Sequence, residues 1–395
     1  MIKRKKKNKE HNPFYDPTLK KRHVSAKRFK KFTLTSLIFS VAFLAFFLFD
    51  MIGKGIPAFN IAYIKADVTF NEKTLEDTRF AVPTEYRNLV SRAALRDLPK
   101  LLEENPTYMN STQNIWILAS SQVDQYIKNH NHNLKDKDIA KVDELYAQGL
   151  IDKKFNAIFF ENGDSKIPEY AGIFSAVIGS ILTLIITMAV AFPIGVMTAI
   201  YLEEFAGDNK FTRFIEININ NLAAIPSILF GLLGLAIFIN LFGMPRSSPL
   251  VGGLTLALMT LPIIIVSSRA ALRAVPDSIR QAGYGLGLNK IQVTRDHVLP
   301  LAFPGIMTGS IIGLAQAMGE TAPLIIIGMI AFIPDAPSMV TQAATVMPAQ
   351  LFTWAGMPEG MYIEKTAAGI LVLLTILISL NAIAIFLRKK LEVKW

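Results

Sequence analysis

Six stretches of the chain, 32–52, 171–202, 215–242, 250–268, 302–333 and 364–387, are mostly apolar. Each matches or exceeds the roughly 20 residues a helix needs to cross a ~30 Å hydrocarbon core. Backbone that enters lipid must satisfy its own hydrogen bonds, so such stretches are expected to fold as helices. Several are longer than a straight crossing requires, which calls for tilt, kinks or ends outside the lipid. Pro193, Pro226, Pro262 and Pro323 sit within them and each removes one backbone hydrogen bond. With 51% hydrophobic residues, the expected architecture is an all-α membrane core of six transmembrane helices.

Charge sets the expected orientation. Thirteen Lys and Arg lie within residues 1–31, immediately before the first apolar stretch. A basic tail could hold nucleic acid, but one that runs directly into an apolar helix reads as a cytoplasmic anchor near anionic membrane lipid. The basic region is too long for a signal peptide and no A-x-A site follows, so 32–52 reads as an uncleaved first span. With the tail inside, loops 203–214 and 269–301 and the end 388–395 are cytoplasmic, and they are rich in Lys and Arg. Loop 334–363 carries Asp335 and Glu359 and no Lys or Arg. Both termini are therefore expected in the cytoplasm, although Arg246 in the outer loop 243–249 departs from the rule.

Residues 53–169 differ in kind. Fifteen Lys and Arg face seventeen Asp and Glu between 54 and 169, with apolar residues only scattered among them. Partial alternation predicts strands at 59–70 and 155–160, and helical spacing predicts helices at 84–104 and 136–151. The expectation is an extracytoplasmic α+β insert domain. His130-Asn131-His132 reads as a solvated helix-end loop rather than a metal site. The chain has no cysteine, which excludes disulfides and thiolate metal sites.

Enzyme motifs are absent: no G-x-x-x-x-G-K-[ST] loop, no H-E-x-x-H helix and no G-x-S-x-G elbow. The informative segment is the loop 275–300. Pro276 and Asp277 mark a helix start, and Gly287 is a C′ stop. Asn289 and Gln292 have capping-box spacing for a second short helix, which Pro300 is expected to end. Small residues at 282, 283, 285 and 287 leave a surface that another chain can approach closely. On these residues alone the loop suits either docking into a partner's groove or an ordinary amphipathic connection.

The loop resembles the EAA loop of ABC importer permeases: E-A-A, three residues, G, nine residues, I-x-L-P. Gln281, Ala282 and Gly283 fall on E-A-A, Gly287 on the glycine, and His297, Leu299 and Pro300 on the ending. Gln for Glu, Gly for Ala and His for Ile are departures, and the first removes a charge. Gly319-Glu320-Thr321-Ala322-Pro323-Leu324 in the fifth stretch and Ile225-Pro226-Ser227-Ile228-Leu229-Phe230-Gly231 in the third are similar to phosphate-specific permeases of the PstA type. The likeness covers about residues 170–390, and the tail and insert resemble, more loosely, an amino-terminal extension in a subset of that family.

The resemblance implies a type I ABC importer permease fold in a bacterial inner membrane, moving inorganic phosphate inward. It implies a PstC-like second permease, a PstB-like ATPase dimer and a PstS-like periplasmic binding protein. No cofactor is expected in this chain; ATP and magnesium belong to the partner ATPase. Another oxyanion or solute, or a membrane sensor using the insert, are the competing functions. The expected substrate-pathway residues are Glu320, Arg269, Arg273, Ser227 and Thr321. A charge deep in an apolar span is costly and usually functional, whereas a bare carboxylate repels an anion, so Glu320 suits a gate or an ion pair. Arg269 and Arg273, four apart on one helix face, offer guanidinium forks for phosphate oxygens or serve as membrane anchors. Gly305, Gly309 and Gly313 form a close-packing face.

Overall fold

The computed structural model describes residues 18–391. It divides at Gly53 into two compact units. The first holds all but the last two residues of α1 (Leu19–Gly55), a 37-residue helix whose basic start includes Lys27, Arg28, Lys30 and Lys31. Its apolar side chains, such as Phe39 and Phe46, are exposed. Residues 1–17 of the expected basic tail lie outside the described residues.

From Asn60 the chain builds a three-stranded antiparallel sheet in the order β2-β1-β3. The strands are β1 (Asn60–Phe70), β2 (Ser111–Leu118) and β3 (Ile151–Phe155). Register is fixed by pairs such as Ala66 with Ile115 and Tyr63 with Asp152. Ala62, Ile64, Ala66, Val68 and Phe70 alternate onto one face of β1 and are buried in one core. Val123 of α2 (Ser121–Ile127) and Val142 and Leu145 of α3 (Asp136–Ala147) close that core.

The sequence misjudged three details of this α+β unit. The helix expected at 84–104 splits at Asp97 into Arg92–Arg96 and Leu98–Glu104, because Pro99 cannot supply a donor in mid-helix. The strand expected at 155–160 ends at Phe155. There the Asn156 side chain accepts from Phe159 N (3.2 Å) and starts the helix Ala157–Glu161. Strand β2 was not expected, since Thr112, Gln113 and Asn114 interrupt any apolar alternation.

The helical bundle follows. Helix α4 (Phe174–Ile200) runs into a π-helical turn, Tyr201–Phe205. Next come α5 (Lys210–Ala223), α6 (Ser227–Gly234) with its wide-turn continuation Leu235–Leu241, and α7 (Pro249–Arg273). Two short helices, α8 (Asp277–Gly285) and α9 (Lys290–Val293), lead to α10 (Leu299–Gly319) and α11 (Ala322–Ile326). The chain ends in α12 (Met347–Ala355) and α13 (Gly360–Leu391). Among the described residues, five helices are long and apolar enough to cross a membrane, or six if α5 and the segment 227–241 form one bent span.

Two expected spans are broken. The third, 215–242, bends by 103° between α5 and α6, where Pro226 adopts an extended backbone (ψ 135°) that ends one helix and begins another. The fifth, 302–333, stops at Gly319, and Glu320 turns extended (ψ 128°). Glu320 therefore sits at a helix break rather than inside a continuous span.

Close packing between α4, α7 and α10 depends on glycine. A Cβ on Gly253 would lie 2.6 Å from Ile186 Cβ, and one on Gly195 would lie 2.8 Å from Ile264 Cγ2. Gly305 and Gly309 meet Ala271 and Ser267 of α7, so the expected glycine face packs within this subunit. The α+β unit is joined to α13 by charge. Lys128 and His130 both reach Glu364, Lys128 at 3.1 Å. Buried Lys365 donates to the carbonyls of Pro168 (2.6 Å), Glu169 (3.2 Å) and Ala171 (2.6 Å).

Candidate coupling site

The loop between α7 and α10 is more ordered than its polarity suggests. Helix α8 starts at Asp277 behind Pro276, which occupies the cap position rather than the first helical one. It ends at Gly285 with Leu286 as its cap, and Gly287 follows with a φ of +81° that suits glycine. Leu288 N donates to Gly283 O (3.2 Å) and Gly287 N to Tyr284 O (2.9 Å). This bond pair is the Schellman closure, in which a left-handed glycine satisfies the last carbonyls. Asn289 then caps α9: its side chain accepts from Gln292 N (2.9 Å), and the Gln292 side chain accepts from Asn289 N (3.0 Å). A Cβ on Gly283 would lie 2.8 Å from Val293 Cγ2, so small size at 283 lets α8 and α9 lie together.

Pro300 does not end the second helix. Lys290–Gly319 runs on as one helix, with the wider turn Thr294–Val298 immediately before Leu299 and Pro300. The wide turn fits the missing donor and bulky ring of proline into a continuing helix.

Arg280 locks this handle to the bundle. Its Nη2 lies 2.6 Å from Glu204 Oε1 and donates to Leu272 O (3.0 Å), while Nη1 donates to Val275 O (2.8 Å). One guanidinium thus ties α8 to the turn that ends α4 and to the last carbonyls of α7. The hydrogen bond to the buried carboxylate of Glu204 raises the Arg280 pKa further. Beside it, Arg273 pairs with Glu203 (2.7 Å), and Arg269 bridges Glu203 (3.3 Å) and Glu216 of α5. Six charged groups, from the turn after α4 and from α5, α7 and α8, cluster here, with Val275, Val293 and Val298 packed in the neighbouring core.

The far side of the handle is open. Gln281, Ala282 and Gly287 are exposed, and Leu286 is 79% and Ile291 62% exposed. An apolar tip on an otherwise polar loop suits burial against another protein.

The remaining sequence-predicted residues gather elsewhere. A Cβ on Gly231 would lie 2.7 Å from Pro323 Cα, so the segments 225–231 and 319–324 pack directly together. Ser227 begins α6 and Thr321 precedes α11 without a side-chain cap. Glu320 is half-buried, and among the described residues its carboxylate has no hydrogen bond or ion pair. Sequence reading missed Glu203, Glu204, Glu216 and the bridging role of Arg280. The available signal was an acidic pair placed directly after the span 171–202, on the side where the loops are otherwise basic.

A bundle of apolar helices with a capped, ion-paired helix pair at one end defines a multi-span integral membrane protein. The chain belongs to the family of binding-protein-dependent transport system inner membrane components, whose model matches residues 191–393. Residues 16–86 and 81–136 match a second family, a domain of unknown function. The phosphate transport system permease protein PstA of Mycobacterium leprae is 36% identical over 160 residues, 40% of this chain and 52% of that protein. PstA of Yersinia pestis is 31% identical over 245 residues, 61% of this chain and 81% of that protein. The chain spans about half the length of the mycobacterial relative. A solved inward-facing MetNI methionine ABC transporter chain aligns with a TM-score of 0.44 and 16% identity, covering 55% of this chain and 97% of that one.

Proposed function

We propose that this chain is the permease subunit of an ATP-driven importer that moves inorganic phosphate into the cytosol by alternating access. The observation that carries the reading is the handle at 277–298: a Schellman-closed, doubly capped helix pair, locked inward by Arg280 and apolar at its outer tip. Such a handle transmits force, because its inner face is rigidly tied to helices that cross the membrane.

On this reading a partner ATPase dimer, holding ATP and magnesium, grips Gln281, Ala282 and the Gly287 turn. Closure of the dimer moves α8, and Arg280 carries that movement to α4 and α7. Leu299 and Pro300 pass it on to α10. Both termini and the handle face the cytoplasm, and the α+β unit faces the periplasm, as the distribution of basic loops favours. A second permease completes the pathway, and a periplasmic binding protein delivers the anion.

The identity of the cargo rests on relatives named as phosphate permeases and on the Gly319–Leu324 segment. Arg269 and Arg273 serve the anion by exchanging Glu203 and Glu216 for phosphate oxygens, a swap between equivalent fork geometries. Ser227 and Thr321 offer neutral hydroxyls, and Glu320 acts as a gate.

The test is ATP-dependent uptake of labelled phosphate by vesicles carrying this chain with its partner subunits. Uptake should need ATP and resist competition by sulfate and molybdate. Efficient competition by either anion would replace phosphate as the cargo, and uptake without ATP would overturn the coupling scheme.

A further inference from the structure

The α+β unit holds a feature that the transport reading does not use. A cleft of about 640 Å³ is lined by Arg79, Arg87, Arg92, Arg96, Asp77 and Phe80, among others. Its volume falls in the range of small-molecule sites, roughly 300–1,000 Å³.

Four guanidinium groups converge there against one carboxylate, and that carboxylate is already engaged. Arg79 donates to both Asp77 oxygens, Nε at 2.9 Å and Nη2 at 2.7 Å. Arg87, Arg92 and Arg96 have no carboxylate partner among the described residues. Arg87 is the most constrained: its guanidinium carbon lies 4.7 Å from the centre of the Phe80 ring, and its Nε is buried without a hydrogen bond. Like charges normally spread apart over a surface, and buried donors normally find acceptors. Asp77 is bonded to Arg79 and only attracts Arg87 from a distance. A concave site with three forks that lack a hydrogen-bonded carboxylate, and one buried donor, is matched by an oxyanion whose several acceptor oxygens take paired N–H groups.

We propose that this cleft binds a small phosphate-bearing anion, at a site separate from the bundle. The group is either free phosphate or a phospholipid headgroup, which present the same oxygens. The inference rests on the cleft alone and stands apart from the transport reading.

The test uses the full chain purified in a maltoside detergent free of phosphate. Calorimetric titration with inorganic phosphate, at fixed ionic strength and with chloride and sulfate as controls, reads the free anion. Thermal stabilisation on adding phosphatidylglycerol micelles, compared with an uncharged lipid, reads the headgroup. A response in the first arm identifies free phosphate, and one confined to the second identifies lipid. In whichever arm responds, the double variant Arg92→Ser/Arg96→Ser should weaken binding at least tenfold; both side chains are exposed, so the fold should survive. Arg87→Lys, which keeps the charge and removes the fork, should weaken it at least threefold. Lys137→Ala, an exposed residue of α3 outside the cleft, should leave it unchanged. A response that ignores the Arg92/Arg96 substitutions, or silence in both arms, overturns the proposal.

Discussion

Arg280 Nη2 lies 2.6 Å from Glu204 Oε1, and the same guanidinium donates to the carbonyls of Leu272 and Val275. A helix on a polar loop is thereby fastened to the ends of two membrane-length helices through one side chain. Several consequences can be measured.

Removing either partner leaves the other partly buried and unpaired, a loss of about 3–5 kcal/mol for fully buried pairs. Arg280→Met should cost more than Glu204→Gln, because it also frees two carbonyls. Thermal unfolding in detergent would rank the variants, and equal losses would mean that the carbonyl bonds contribute nothing. The double reversal Arg280→Glu/Glu204→Arg should recover only part of the stability.

Gly287 holds φ at +81° with open space around the position of a Cβ. A side chain there meets no clash but carries left-handed strain of roughly 1–2 kcal/mol. Gly287→Trp should leave membrane insertion intact and abolish the coupling of ATP hydrolysis to uptake in the assembled transporter. Normal coupled uptake by this variant would remove the docking role.

Among the described residues Arg273 forms an ion pair with Glu203 alone, whereas Arg269 also has Glu216. Glu203→Gln should therefore free Arg273 selectively. If these arginines serve the anion, the apparent KM for uptake should shift at least twofold, and Arg273→Ala should cancel the shift in the double variant.

Lys365 donates to three backbone carbonyls at the joint between the α+β unit and α13. Unsatisfied buried acceptors cost about 1–3 kcal/mol each. Lys365→Met should lower stability by at least 3 kcal/mol, seen as a lower denaturation midpoint and faster proteolysis near residues 165–171. A loss under about 1 kcal/mol would show that water replaces the ammonium without penalty.

Burial raises the pKa of Asp164 above its ordinary 3.8, against the opposing hydrogen bonds from Trp354 and Ser165. Between the two values the folded state holds more protons than the unfolded one, so this carboxyl lowers stability as pH rises through that window. Asp164→Asn should flatten the Tm profile from about pH 4 upward. An unchanged profile would place the titration elsewhere.

Much of the handle was legible in the sequence because its signals are local. Gly287 stops α8 and Asn289 with Gln292 caps α9, since each acts within four residues of itself. The α+β unit was read in outline from β1 and α3, whose periodicity is clear. Strand β2 escaped because its first half is polar and it is held by pairing with β1, a partner more than forty residues away. The same limit applies to the ion-pair network: nothing near Arg269 or Arg280 in sequence points to Glu203, Glu204 or Glu216.

Sequence alone determined that this is a membrane protein of helices with a capped helix pair on one side, because apolar length, proline and glycine act over a few residues at a time. Only the tertiary structure decided where the third and fifth stretches break, which carboxylates hold the arginines, and that four arginines of the α+β unit share one cleft. Those outcomes depend on which distant segments meet, and a charge becomes a lock, a gate or a binding fork only once its neighbours in space are fixed.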